Sequence, residues 1–207
     1  MPVATLADSL RRLNLPGHGR LPRLILMTDT ARLPDPRPAV AGLDRGDAVI
    51  LRHYDDPHRA ALGAELLRLC RARGLRLLVA GDLDLALDLG CDGLHLPEWM
   101  LGEGAWRRVR GRLPLVTAAA HGPRALWRAA RAGADATLLS PVFPTASHPG
   151  APALGVPRFA ALCRMAPLPV YALGGVTAGN LRRLKGSGLA GVAAIGGIAV
   201  QDSSGGG

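Results

Sequence analysis

Aromatic residues make up only 3% of this 207-residue chain, lysine occurs once, at Lys185, and there are three cysteines. Each scarcity excludes something. The formal net charge is +9, yet the basic residues carry no aromatic interleaving and are scattered over several expected helices (Arg68, Arg71 and Arg73; Arg107, Arg108, Arg110 and Arg112; Arg124, Arg128 and Arg131; Arg182 and Arg183). A nucleic-acid partner is therefore not expected. Cys70, Cys91 and Cys163 are odd in number and far apart, with neither the CxxC spacing of a zinc or redox site nor the density of a disulfide scaffold, and are expected to be packed thiols. No apolar stretch approaches the roughly 18 residues of a membrane-spanning helix, and Met1 to Leu15 carries Asp8, Arg11 and Arg12 where a secretory leader would be apolar. The expectation is a cytoplasmic protein with no membrane partner, compatible with a homo-oligomer.

What is present is apolar and periodic. Hydrophobic residues make up 48% of the chain, enough for one substantial core. Short apolar runs predict strands at Leu24 to Thr28, Ala48 to Arg52, Leu75 to Val79, Gly93 to Leu96, Leu115 to Ala119, Ala136 to Leu139, Pro169 to Leu173 and Gly191 to Ile195. Amphipathic segments lie between them: Pro38 to Leu43, His58 to Arg73, Asp84 to Leu89, Gly104 to Arg112, Pro123 to Ala132, Val156 to Met165 and Ala178 to Gly186. Two of these are bracketed by proline and glycine, at Pro57 to Gly74 and Pro123 to Gly133, which is helix start and stop chemistry. Eight nearly all-apolar strands alternating with helices predict an α/β fold of a single domain, a closed (β/α)8 TIM barrel. A doubly wound open sheet is the alternative, but no GxGxxG follows the first strand. Residues 1–22 read as an N-terminal extension, 23–200 as the barrel and 201–207 as a flexible tail.

Three segments near the C-terminal end suit a phosphate. They are Ser140-Pro141-Val142-Phe143-Pro144-Thr145-Ala146-Ser147-His148, then Ala172-Leu173-Gly174-Gly175-Val176, then Ala194-Ile195-Gly196-Gly197-Ile198. Each follows or completes a strand, where free backbone N–H groups meet a loop and glycine lets an anionic oxygen approach. Gly174, Gly175, Ile195 and Gly196 are the expected phosphate cradle, after strands seven and eight, where barrels commonly hold phosphate. The glycines could instead serve tight turns alone.

The ordered series Met27-Thr28-Asp29, Ile50-Leu51-Arg52, Asp84-Leu85-Ala86, Asp92-Gly93-Leu94-His95-Leu96, Ala120-His121-Gly122, Pro141-Val142-Phe143-Pro144-Thr145, Leu173-Gly174-Gly175-Val176 and Gly191-Val192-Ala193-Ala194-Ile195 resembles the thiamine-phosphate synthase and TenI superfamily. The likeness runs from about Leu24 to Val200 and implies thiamine biosynthesis and a small phosphorylated thiazole ligand. The synthase branch joins an aminopyrimidine diphosphate to a thiazole phosphate. It typically reads Gln-x-Arg-x-Lys after strand two, Asn-Asp-Arg after strand three and His-Leu-Gly-Gln-x-Asp after strand four. The corresponding residues here are Ile50, Arg52 and Tyr54, then Ala80, Gly81 and Asp82, then His95, Leu96, Pro97, Glu98 and Met100. Gly81 and Met100 thus replace both magnesium carboxylates, and Tyr54 and His148 stand where the pyrophosphate lysines would be. A diphosphate leaving group normally needs a divalent cation. Asp82, Asp84 or Glu98 could rebuild that site, or Asp82 and Asp84 could simply cap a helix.

Gly81 and Leu96-Pro97 resemble the TenI-type branch, whose characterised members are thiazole tautomerases that need no metal. The expected function is accordingly a TenI-like isomerase with no cofactor. The alternatives are a divergent synthase, which alone would call for Mg2+, and a non-catalytic binder of thiazole or thiamine phosphates. The resemblance makes His121 the catalytic residue, since an imidazole can remove and return a proton; the other possibility is that it caps the helix opening at Gly122-Pro123. Arg52 is expected to clamp a carboxylate or phosphate through its planar fork. His95 either lines the site or is a buried, hydrogen-bonded histidine. Thr145 and Ser147 match the hydroxyl pair with which the synthase holds phosphate, or are turn residues in a proline-rich loop.

Overall fold

The computed structural model describes residues 5–13, 19–102, 104–145, 150 and 152–198. Eight parallel strands close on one another in chain order: β1 (Leu24–Met27), β2 (Ala48–Leu51), β3 (Arg76–Ala80), β4 (Gly93–Leu96), β5 (Leu115–Ala120), β6 (Ala136–Leu139), β7 (Val170–Ala172) and β8 (Gly191–Ala194). The seam is made by β1 on β8, with Leu24 opposite Val192 and Leu26 opposite Ala194. The expected (β/α)8 barrel is what the chain forms, and every strand falls within one or two residues of its expected place.

Alternation explains why the strands are apolar on both sides. Ile25, Met27, Ile50, Leu78, Leu138, Tyr171 and Ala193 fill the barrel interior, while Leu24, Leu26, Val49, Leu51, Leu94 and Val116 meet the helices outside. Those helices are α1 (Leu6–Leu13), α2 (Arg37–Val40), α3 (Arg59–Arg73), α4 (Leu83–Leu89), α5 (Ala105–Arg108), α6 (Pro123–Ala132) and α7 (Gly155–Met165). As the proline and glycine signals indicate, α6 opens on Pro123, and α3 and α6 close on Gly74 and Gly133.

Two expected helices are cut short. The segment Gly104 to Arg112 splits into α5 and a 3₁₀ turn, Arg110–Arg112, because Gly104 and Gly111 bracket too few residues to sustain a helix. Between Ala178 and Gly186 only a 3₁₀ turn forms, Leu181–Leu184. There Asn180 and Thr177 exchange side-chain bonds with each other's backbone N–H at 2.9 and 3.3 Å, a local pattern that competes with helix formation.

Helix α1 was not expected. Thr5 and Asp8 make a reciprocal cap, the Asp8 N–H donating to Thr5 Oγ1 and the Thr5 N–H to Asp8 Oδ2, each at 3.1 Å. Leu6, Ala7 and Leu10 are buried. The Leu6 N–H donates to Gly197 O beyond β8, and Arg11 grips both oxygens of Asp44 ahead of β2 at 2.6 and 2.8 Å. One short helix thereby spans the barrel wall from one face to the other. The tail 201–207 lies outside the described residues.

No helix among the described residues is long and apolar enough to cross a membrane. Cys70 and Cys91 are buried and Cys163 partly so; burial pushes the Cys70 and Cys163 thiols up to about 12, which leaves neither a thiolate at neutral pH.

Candidate active site at the carboxyl ends of the strands

In a parallel barrel the chemistry sits where the strands end, and there the chain assembles two connected regions. The first is a cavity of about 140 Å³ between the ends of β7 and β8, lined by Thr145, Leu173 to Val176 and Ala193 to Gly196, with Arg32 from the loop after β1. The four expected cradle residues and Thr145 come together here. Gly174 and Gly175 have φ of +88° and +65°, and the loop after β6 lies directly on them. A Cβ at Gly174 would stand 2.9 Å from Pro141 Cα, and one at Gly175 would stand 2.4 Å from Pro144 O. Only glycine satisfies both demands. The carbonyls of this segment are taken: Val142 and Phe143 N–H donate to Leu173 O and Gly174 O, and the Asn180 side-chain amide donates to Gly175 O at 2.7 Å. With those oxygens engaged, they do not repel an anion in the cavity. Ser147 and His148 lie outside the described residues.

Gly196 differs from the pair at β7. A Cβ there would meet nothing within 4 Å and its φ is not positive. Gly196→Ser is therefore expected to leave the melting temperature within about 2 °C. It should tighten binding of a thiazole phosphate by up to about tenfold through one added hydroxyl donor. Calorimetric titration and thermal melting check this together; a large loss of stability would mean the space is not open.

The second region is the central mouth. The Arg52 backbone N–H is fixed by Thr28 Oγ1 at 2.9 Å, and its guanidinium lies 3.5 Å from Asp29 Oδ2. Asp29 also accepts from Arg32 at 2.9 Å, and that bond, reinforced by the charge of Arg52, holds its carboxyl down at about 2. His95 lies beneath, 3% exposed, with Nδ1 2.9 Å from Thr117 Oγ1. Burial drives its imidazole down to about 3, and the Arg52 charge pushes the same way. It is thus neutral when folded, whereas its ordinary value is 6.5. Stability carried by this residue is complete above about pH 6.5 and is lost as pH falls toward 3. His95→Gln, which can still bond Thr117 but cannot titrate, is expected to flatten the acid loss of stability by roughly 1 kcal/mol per pH unit. Urea midpoints at several pH values measure it, and equal slopes in both proteins would refute it.

On the β4–β5 side, His121 is half exposed, with Nδ1 2.8 Å from Glu98 Oε2. A carboxylate can only accept, so Nδ1 carries the hydrogen of this bond and Nε2 is the ring atom left to exchange a proton. Arg128 steadies Glu98 from the other side at 3.8 Å.

Two of the three acids that might hold magnesium, Asp82 and Glu98, are otherwise engaged. Asp82 accepts from the Leu85 N–H at 2.9 Å, capping α4, and pairs with Arg59 at 3.2 Å. Asp84 sits in the first turn of α4, Glu98 is bound to His121, and Met100 is buried in the core. A Cβ on Gly81 would meet the Tyr54 ring at 3.2 Å and Pro97 at 3.3 Å, so those two side chains close over the place of the missing carboxylate. Among the described residues no three His, Cys, Asp or Glu side chains converge as metal ligands. The residues present do not fit the ion.

Arg32 and Asn180 had no role in the sequence-based site, and Glu98 figured there only as a substitute metal ligand. The Asp29-x-x-Arg32 spacing was a readable sign of an ion pair; the Glu98–His121 contact, made across two loops, had none. A larger cavity of about 360 Å³, lined by Leu10, Arg11, Leu24, Asp47 and Ala190 among others, opens at the opposite face, away from the strand ends where barrels place their chemistry.

The family model described as thiamine monophosphate synthase matches residues 35–198. A thiamine-phosphate synthase of Chromobacterium violaceum is 36% identical over 151 residues, covering 72% of each chain. One of Roseiflexus castenholzii is 35% identical over 152 residues, covering 72% of this chain and 67% of its own. The solved thiamine phosphate pyrophosphorylase from Pyrococcus furiosus superposes with a TM-score of 0.73 over 88% of this chain and 90% of that one, at 24% identity, which speaks to the fold. With the barrel and its strand-end motifs in place, these matches show that the chain belongs to the thiamine monophosphate synthase and TenI superfamily.

Proposed function

We propose that this barrel handles a phosphorylated thiazole in thiamine biosynthesis and acts on it as a TenI-like, metal-independent tautomerase. The observation that carries this reading is the packing of Tyr54 and Pro97 over Gly81, with Asp82 held by Arg59. Tyr54 and Pro97 thus stand against position 81, where a diphosphate and its cation would call for a carboxylate and a metal ion, and the neighbouring acid is already paired. A 1,3-proton shift needs neither. It needs an acid–base group that takes the proton from one atom of the ring system and returns it to another, and His121 Nε2, oriented by Glu98, supplies one. Arg52 is placed to hold a ring carboxylate and the cavity between β7 and β8 to hold the phosphate, with Thr145 at its rim. Ser147 and His148 are proposed to bind the same phosphate.

The activity for which these relatives are named favours a second reading, the transfer that makes thiamine phosphate. Two assays separate them: the protein with aminopyrimidine diphosphate, thiazole phosphate and magnesium, and the protein with the thiazole carboxylate phosphate tautomer alone. Conversion of the tautomer without thiamine phosphate formation is the expected result. Thiamine phosphate formation at an ordinary enzymatic rate would overturn the isomerase reading, and activity in neither assay with retained thiamine phosphate binding would indicate a binder.

A further inference from the structure

Phosphate cavities are usually finished by a cation, and the lysines that the family resemblance would lead one to seek are absent. The single lysine, Lys185, lies elsewhere, beside Ser9, Arg12 and Arg182. Among the described residues lining the cavity, Arg32 carries the charged side chain. It is aimed there by a tight turn after β1. The Leu33 N–H donates to Asp29 O, the Arg32 N–H donates to Asp29 Oδ1 at 3.0 Å, and the guanidinium bonds Asp29 Oδ2 at 2.9 Å. Asp29 also faces Arg52, so one carboxylate joins the cation at the cavity to the cation at the central mouth. A guanidinium offers five donors in a fork and can serve a carboxylate on one edge and a phosphate on another.

We propose that Arg32 is the phosphate-selecting residue of this site, distinguishing a phosphate monoester from the corresponding alcohol. This rests on the thiazole phosphate reading above for the identity of the ester, though not for the presence of an anion site. The shared Asp29 keeps the guanidinium in place before the ligand arrives, so little side-chain entropy is lost on binding.

The test is calorimetric titration of the full chain with three probes: 4-methyl-5-(2-phosphonooxyethyl)thiazole, its dephosphorylated alcohol and inorganic phosphate. Wild type should bind the ester more tightly than the alcohol. Arg32→Gln should weaken the ester by roughly 10- to 100-fold while changing the alcohol by less than about threefold. Arg32→Lys, which keeps the charge without the fork, should recover part of the loss and also shows whether the turn still folds. If Arg32→Gln discriminates ester from alcohol as wild type does, the assignment is wrong. If inorganic phosphate binds in an Arg32-dependent way but the thiazole ester gains nothing over it, the assignment stands and the thiazole reading fails. Wild type binding neither ester nor phosphate would sink both.

Discussion

Replacing His121 with alanine is expected to lower turnover of the thiazole tautomer by about 10²- to 10⁴-fold, the span that a positioned acid–base group contributes. The change should leave folding nearly untouched, since the side chain is 54% exposed and makes its hydrogen bond to Glu98 at the surface. Glu98→Gln should cost less, roughly tenfold, because the amide can still hold the ring while no longer balancing the charge that develops on it. Steady-state kinetics on both variants beside thermal melts distinguishes chemistry from stability. Conversion at the wild-type rate without the imidazole would remove His121 from the mechanism while leaving the phosphate site intact.

Gly93→Ala is expected to have the largest effect on folding. Gly93 begins β4 and pairs with Leu115 of β5. A Cβ built on it would stand 1.8 Å from Leu115 O and 2.8 Å from Leu115 C. Both obstacles are backbone, so no rotamer change relieves them, and the two strands must part at the level of the barrel wall. A destabilisation of at least about 3 kcal/mol is expected, at the upper end for a single overpacked methyl. Urea unfolding followed by circular dichroism measures it; a wild-type midpoint would show that the wall yields far more easily than its packing implies.

The strands were legible because a parallel barrel buries both of their faces, and short runs such as Ala48 to Leu51 have no other stable use. The outer shell was less so. The segment from Gly104 to Arg112 has helical composition but is interrupted by its glycines, and Leu6–Leu13 is so short that its Thr5-x-x-Asp8 cap, visible in the sequence, carried no weight until its buried face had a partner. At the site, residues fixed by strand position were readable: Arg52, His95 and the two glycine pairs all fall at strand ends. The contacts that give them meaning were not. Glu98 meets His121 across 23 residues of chain, and Arg32 reaches the cavity only because its turn folds back on Asp29. Asp82 was open to two readings, metal ligand or helix cap, and the Leu85 N–H shows that it caps.

The closure of Tyr54 and Pro97 over Gly81 also bears on how this site could change over time. A new carboxylate at position 81 would arrive against an aromatic ring and a proline, while its nearest acidic neighbour, Asp82, is tied to Arg59. No single substitution both makes room and supplies a second ligand. Position 81 also has a φ of +69°, a conformation that favours glycine over any acid. Backbone and neighbours thus select the same residue there, and a close homologue with an acid at that position is expected to have a smaller or differently placed residue at 54 or 97.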